Sequence, residues 1–194
     1  GMLMSLEPAF AALAGAVATG INTRLGAREI TAIIERADPA LVLFDPHVFD
    51  PVVASIVDAA PAGVLRPDEL GVPAAIRGLG SRRPHRASTD AAVIIWTSGT
   101  TGVPKGAWFD HRGLHAAVAS AGVISAPFDV KLVATPFPHA GYMAKLWDQL
   151  AWVTTSVIAP TPWRADDMLR LLVDERVTVA AGVPTQWAKL LDQP

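Results

Sequence analysis

The sequence contains no cysteine, and this absence removes two kinds of chemistry. The chain can form neither a disulfide nor a metal site with thiolate ligands. Nothing in its composition marks an oxidising compartment, so the cytosol is the expected location. Residues 1–4 form too short and too uncharged a leader for a secretory signal peptide, and we expect none.

The sequence also lacks an excess of basic residues and any apolar run of membrane-spanning length. Sixteen Lys and Arg residues stand against eighteen Asp and Glu, and the formal net charge is −2. With no basic face to release the counterions of a nucleic acid, a nucleic-acid partner is not expected. Glycine, proline or charge interrupts each apolar run before it reaches the roughly 20 residues that a bilayer requires, so no membrane span is expected.

Hydrophobic residues, in contrast, make up 51% of the 194 residues, enough for a compact domain with a sizeable core. The mean hydropathy of +0.34 is high for a soluble protein. Short apolar runs alternate with amphipathic segments. Residues 28–37, for example, place Ile30, Ile33 and Ile34 on one helical face. The alternation predicts βαβ units, and therefore an α/β fold of mostly parallel sheets flanked by helices.

The predicted elements cover most of the chain. Strands are predicted over residues 16–21, 40–44, 63–65, 91–96, 131–135, 153–159 and 177–181. Helices are predicted over residues 6–14, 28–37, 51–60, 112–123, 142–151, 164–175 and 186–191. Between them, residues 67–89 carry repeated Gly and Pro and a basic cluster, and they are predicted to form a connecting loop with no function of its own.

The stretch from the predicted strand at 91–96 to Gly106 carries the strongest functional signal. Four hydroxyl side chains, three glycines and one lysine follow the apolar run. Glycine lets backbone N–H groups turn towards an anion, hydroxyls add short donors, and Lys105 adds a positive charge. These properties favour phosphate binding, although neither the Walker A nor the Gly-x-Gly-x-x-Gly pattern matches. The alternative is a flexible surface turn between a strand and a helix.

Residues 97–106 read Thr-Ser-Gly-Thr-Thr-Gly-Val-Pro-Lys-Gly, and they resemble the signature of the adenylate-forming (ANL) superfamily. This superfamily comprises acyl-CoA synthetases, luciferases and the adenylation domains of peptide synthetases. The resemblance implies that the stretch grips the β- and γ-phosphates of ATP. The residues that it assigns to this role are Thr97, Ser98, Gly99, Thr100, Thr101, Gly102 and Lys105.

Two further motifs follow predicted strands, whose carboxyl ends face the ligand crevice in a parallel sheet. Residues 136–141, Pro-Phe-Pro-His-Ala-Gly, are similar to the second core motif of the superfamily, although the glycine comes one position early. Residues 182–185, Gly-Val-Pro-Thr, resemble the run at the wall of the family's acyl pocket. The resemblance therefore assigns His139, Val183, Pro184 and Thr185 to the substrate pocket. Taken alone, each motif is explained by helix capping.

The resemblance implies an AMP-forming acyl-CoA synthetase, which activates a carboxylic acid with ATP to an acyl-adenylate and then forms the CoA thioester. ATP, Mg²⁺ and CoA are the implied cofactors, and a small-molecule carboxylic acid is the implied substrate. An amino-acid-activating adenylation domain is an open alternative, because the Ser-Gly-Thr-Thr-Gly run favours acyl-CoA ligases only weakly. A non-catalytic structural or nucleotide-binding remnant is another.

The resemblance covers nearly the whole chain but only a central slice of a family member's N-terminal domain. It implies a first α/β subdomain over residues 1–126 with the phosphate loop, and a partial second subdomain over residues 127–194 with part of the acyl pocket. The family's adenine, ribose and Mg²⁺ segments and its catalytic lysine are not in the sequence, so no catalytic residue is assigned. We therefore expect the isolated chain to be inactive, and to self-associate through uncovered apolar faces.

The histidines outside these motifs do not suggest a metal site. His111 and His115 are four residues apart, the spacing of a two-histidine ligand pair, but there is no His-Glu-x-x-His motif and no third ligand. No metal is therefore assigned to them, or to His47 and His85. The glutamates form no pair at a strand end and suggest no general acid or base.

Overall fold

The computed structural model of the protein describes residues 15–22, 24–45, 51–66, 86–97 and 102–193. Its strands are β1 (Ala18–Thr19), β2 (Leu41–Leu43), β3 (Gly63–Leu65), β4 (Ala91–Thr97), β5 (Lys105–Asp110), β6 (Val130–Val133), β7 (Thr155–Ile158) and β8 (Val179–Ala180). Its α-helices are α1 (Ala27–Ala37), α2 (Pro51–Asp58), α3 (His111–Ser120), α4 (Ala140–Met143), α5 (Leu146–Ala151), α6 (Ala165–Asp174) and α7 (Pro184–Leu191). The helix predicted over residues 6–14 and most of the loop predicted over 67–89 lie outside the described residues.

The described strands form three sheets, with strand orders β1-β4-β5, β2-β3 and β7-β6-β8. The pairs β1–β4, β2–β3, β6–β7 and β6–β8 are all parallel. Helices connect and flank them, so the predicted α/β class with mostly parallel sheets is confirmed. Within the described ranges, every helix is too short or too polar to cross a lipid bilayer.

The pairing of β4 with β5 is antiparallel, with Thr97 opposite Lys105, and it is the exception to the parallel pairing of the other described strands. The sequence suggested a strand followed by a loop and then a helix, whereas the chain first returns as β5. The connection of residues 98–104 is too short for a parallel crossover, which needs about a dozen residues. Most of β5 is exposed, and its sequence lacks the alternation of apolar and polar residues that would predict a strand.

Helix α1 confirms its amphipathic prediction, since Ile30, Ile33 and Ile34 are its buried residues. Its start is fixed by the Gly26 N–H, which donates to Glu29 Oε2 at 2.7 Å. The helix ends at Asp38, whose backbone is left-handed with φ of 43°. One face of α1 packs with β2, β3 and α2 in a single hydrophobic cluster, which makes this helix a rigid part of the fold.

A second cluster lies under the β4–β5 hairpin and joins both halves of the chain. Val93 and Ile95 of β4 pack there with Leu114 of α3 and Met143 of α4. Tyr142 and Leu146 instead pack against Val133 of β6. The helix predicted over residues 142–151 is two short helices, α4 and α5.

Candidate functional site

The β4–β5 hairpin carries the predicted phosphate-binding stretch at its tip. Thr97 closes the ladder, and its Oγ1 donates to the backbone oxygen of Lys105 at 3.3 Å. The side chain of Lys105 is exposed. Residues 98–101, which include four of the predicted phosphate ligands, lie outside the described residues. The described part of the hairpin therefore presents one cation, while the hydroxyl proton of Thr97 is used within the stem.

Gly102 follows this segment in a left-handed backbone conformation, with φ of +76°. A Cβ atom added here would meet nothing within 4 Å. Glycine is thus favoured here by its backbone angle and not by a lack of space for a side chain. This agrees with the sequence argument that glycine lets backbone N–H groups turn towards an anion.

Side-chain hydrogen bonds connect the hairpin to β1 and to α1. The Nε1–H of Trp96 donates to Thr19 Oγ1 at 2.7 Å, and that hydroxyl donates to the backbone oxygen of Ile94 at 3.0 Å. From α1, Arg36 Nη1 donates to the backbone oxygen of Pro104 at 3.0 Å. Sequence reasoning missed the Arg36 contact, because nothing local links two residues that are 68 positions apart.

The turn that carries His139 reaches the same edge of the first sheet. Gly20 lies one residue beyond β1, and an added Cβ there would come within 3.0 Å of Pro138 Cβ. Because β1 and β4 are parallel, their carboxyl ends face the same way. The His139 turn and the hairpin tip are therefore placed along one edge, at the end of the strands where α/β proteins bind ligands.

His139 begins α4 as its N-cap, and its Nδ1 accepts a hydrogen bond from the Gly141 N–H at 3.0 Å. The helix-capping role, which the sequence also suggested, is therefore present. Since Nδ1 is an acceptor here, the neutral imidazole carries its proton on Nε2. The ring is exposed, so this N–H donor is available to a ligand.

The third motif follows β8, the parallel neighbour of β6. Val183 is the N-cap of α7, and its N–H donates to Gln186 Oε1 at 3.0 Å. Val183, Pro184 and Thr185 are all exposed. They lie at the same edge of their sheet as the His139 turn, because each follows the carboxyl end of one of two adjacent parallel strands.

A buried polar network that joins β6 to α5 was not predicted from the sequence. Lys131 Nζ donates to Ser125 Oγ at 2.6 Å and lies 3.2 Å from Asp148 Oδ2. Ser125 Oγ donates to the same carboxylate oxygen at 3.0 Å. The Asp148 side chain is 3% exposed and that of Lys131 is 11% exposed. An alternating strand pattern gives no hint that its lysine points inward, so only the fold could reveal this pair.

No group of three His, Cys, Asp or Glu side chains suited to a metal ion occurs among the described residues. His111 lies at the start of α3, where Asp110 is the N-cap and accepts from the Gly113 N–H at 2.5 Å. The part of the chain that the structure describes thus provides no carboxylate cluster for Mg²⁺, so no metal-binding role is assigned to it.

Comparisons with known proteins identify the family. Residues 9–194 match the model of a family described as AMP-binding enzyme, and the chain therefore belongs to this family. A long-chain-fatty-acid–CoA ligase from Thermus thermophilus is 35% identical over 92% of this chain, which corresponds to 35% of that protein. The chain spans about a third of the length of the fatty-acid–CoA ligases that it matches.

Solved structures agree with this assignment and with the fold class. ATP-bound MatB from Rhodopseudomonas palustris has a TM-score of 0.77 and 28% identity, over 100% of this chain and 39% of that one. The inhibitor-bound N-terminal domain of FACL13 from Mycobacterium tuberculosis has a TM-score of 0.77 and 26% identity, over 95% of this chain and 48% of that domain. The predicted superfamily and its N-terminal-domain fold are thereby confirmed.

Proposed function

We propose that the chain is part of an AMP-forming carboxylate–CoA ligase, in which it holds the triphosphate of ATP beside the substrate carboxylate. The observation that carries this proposal is the placement of the hairpin tip and the His139 turn along one edge of the fold. That edge has an exposed cation, Lys105, on one side and an exposed N–H donor, His139 Nε2, on the other. The motif at residues 183–185 follows β8, which lies next to β6 in the β7-β6-β8 sheet.

The hairpin would bind the β- and γ-phosphates through Gly102, Lys105 and residues 98–101, while Thr97, whose hydroxyl donates to the Lys105 backbone oxygen, would hold the two strands together beside this loop. Lys105 supplies the positive charge, which offsets the repulsion between a carboxylate and a polyanion as they approach. The left-handed backbone at Gly102 suits a loop whose N–H groups turn towards one anion.

The reaction needs no general base from this chain, because a carboxylic acid is already ionised at neutral pH. A carboxylate oxygen attacks the α-phosphorus, and the bond from this phosphorus to the oxygen that bridges it to the β-phosphate breaks. Pyrophosphate leaves with that oxygen, and the acyl-adenylate is formed. CoA would then accept the acyl group as a thioester. His139 would orient the carboxylate through Nε2–H, while Val183, Pro184 and Thr185 would form part of the acyl pocket wall. Mg²⁺ would accompany the triphosphate, and no step is assigned to it here.

Titration with a fluorescent ATP analogue tests the phosphate-binding role. We expect binding that depends on the triphosphate and that Lys105→Ala weakens at least tenfold, the effect of losing one contact to a charged group. Lys189→Ala is the matched control, since Lys189 is an exposed lysine in the last turn of α7. Equal affinity of both variants and the unaltered chain, or no binding at all, would contradict the proposal.

We further propose that this chain alone does not complete the reaction, since it spans about a third of the length of the fatty-acid–CoA ligases that it matches. ATP–pyrophosphate exchange measured on the isolated chain should show no rate above background, and a measurable rate would refute this. The acyl-CoA and amino-acid alternatives can be separated in the complete enzyme by comparing fatty acids with amino acids as substrates of the exchange.

Self-association is the last element of the proposal. Several large apolar side chains are open to solvent, among them Trp108 at 60%, Val173 at 68% and Leu191 at 86% exposure. Such exposed side chains favour association when they lie in contiguous patches. Light scattering should therefore report a mass above that of a monomer, rising with concentration, whereas a constant monomer mass at high concentration would exclude it.

A further inference from the structure

Arg36 makes a contact that joins the first helix to the loop end of the β4–β5 hairpin. It lies in the last turn of α1, and its Nη1 donates to the backbone oxygen of Pro104 at 3.0 Å. Pro104 is buried and Arg36 is exposed, so a partly buried carbonyl gains a charged donor. Hydrogen bonds from charged donors are stronger than those between neutral groups.

The Pro104 carbonyl belongs to the peptide unit that connects Pro104 to Lys105, so the contact with Arg36 also affects Lys105. The peptide unit is planar, so holding the oxygen of Pro104 also sets the orientation of the Lys105 N–H. Lys105 is the first residue of β5 and pairs with Thr97 across the hairpin. Arg36 thereby acts on the peptide plane from which the exposed Lys105 side chain departs.

The other end of the contact is rigid. Helix α1 is anchored by Ile30 and Ile34 in the cluster that it shares with β2, β3 and α2. Arg36 also lines an open groove of about 730 Å³ with Trp96, Gly106 and Trp108, on the hairpin face opposite its buried core. The side chain of Arg36 thus connects a well-packed helix to the loop end of the hairpin.

We propose that Arg36 is a positioning residue, which holds the Pro104–Lys105 peptide so that the Lys105 ammonium is directed at a bound triphosphate. The inference rests on the proposed function for the identity of the ligand, but its structural part does not. Arg36 is not proposed to touch the nucleotide.

Amide hydrogen exchange without nucleotide tests the structural part. Arg36→Met removes the donors at similar length, and we expect exchange at residues 105 and 106 to become about tenfold faster, as loss of one charge-assisted bond implies. Exchange at Phe109 and Asp110, at the far end of the ladder, should not change. Arg36→Lys should recover most of the protection, and Arg28→Met, an exposed position in the first turn of α1, should have no effect. Unchanged exchange at 105 and 106, or uniform loss across the sheet, would overturn the proposal.

Affinity for a fluorescent ATP analogue tests the functional part. Arg36→Met should weaken binding of the triphosphate about tenfold and leave binding of the corresponding monophosphate unchanged. If Lys105→Ala weakens binding and Arg36→Met does not, the positioning role is wrong. If the unaltered chain does not bind the analogue, or Lys105→Ala has no effect, the proposed function fails instead. In that case the exchange result still decides whether Arg36 orders the Pro104–Lys105 peptide.

Discussion

The β4–β5 hairpin and the His139 turn lie along the same edge, but different interactions hold them. The hairpin is a two-stranded ladder of neighbouring segments, closed by the pair Thr97–Lys105. The His139 turn leads into two helices of four and six residues, lengths at which a helix is not stable without tertiary contacts. Buried Tyr142 and Leu146 and the Lys131–Asp148 ion pair supply those contacts.

The difference indicates where each region is vulnerable. In the hairpin, the backbone pairing is local in sequence, and side-chain losses at its exposed face leave the ladder intact. In the turn, the ion pair connects β6 to α5 and closes the chain segment that contains His139. Changes in the buried pair should therefore cost far more than changes at the hairpin tip, and the following substitutions test this ranking.

Lys131→Met should have the largest effect. It leaves the carboxylate of Asp148, 3% exposed, buried without its cation, and breaking such a pair costs about 3–5 kcal/mol. Asp148 Oδ1 already has no hydrogen-bond partner among the described residues, so the remaining contacts cannot replace the lost charge. Urea denaturation should show this decrease in the free energy of unfolding.

The double variant Lys131→Met/Asp148→Leu is the control for this prediction. Replacing both charges by apolar groups is often neutral, so the double variant should recover most of the stability lost in the single one. A double variant as unstable as Lys131→Met would show that packing volume and not charge pairing holds the turn.

Gly102→Ala should have a smaller effect, of about 1 kcal/mol, because a side chain at φ of +76° is strained. The free energy of unfolding and the affinity for the ATP analogue should both decrease. Gly122→Ala is the matched control, since its added Cβ would make an ordinary contact of 3.5 Å with Trp152 and is expected to be neutral. Equal stability of the two variants would remove the backbone argument for Gly102.

Asp129→Asn should have the smallest effect, and one that depends on pH. The pKa of Asp129 is lowered mainly by the Ala126 N–H bond at 2.6 Å and also by the Thr178 hydroxyl at 2.8 Å. Because the folded-state pKa is depressed, the carboxylate stabilises the fold above the usual Asp pKa and loses this effect as pH falls through the folded value. The Tm difference between the variant and the unaltered chain should thus be small at pH 7 and vanish well below about pH 4. A difference that persists unchanged at pH 3 would contradict this linkage.

Much of the fold could be predicted from local patterns. The apolar spacing of Ile30, Ile33 and Ile34 located α1 to within a residue, and the short run at Gly63–Leu65 matched β3. Strand β5 was missed because its side chains are mostly exposed, so no apolar alternation marks it. The split between α4 and α5 was missed because residues 142–151 contain no Gly or Pro that would mark a break.

In the candidate site too, local motifs could be found from the sequence, whereas contacts between distant residues could not. Motifs located the hairpin, His139 and residues 183–185 at turns that follow strands, where the structure also has them. Their supports were not predictable, because Arg36 and Pro104 or Lys131 and Asp148 meet only after the chain has folded. A lysine within a strand and an arginine near a helix end are common on protein surfaces, so their sequence contexts carry no sign of a special role.

The contact between Gly20 and Pro138 fixes a distance as well as a meeting point. An added Cβ at position 20 would lie 3.0 Å from Pro138 Cβ, so the first sheet and the His139 turn are too close for a side chain to fit there without a shift. A larger residue at position 20 would therefore widen their separation. Under the proposed function, room for acids of different size would come from open positions such as Val183, which is exposed.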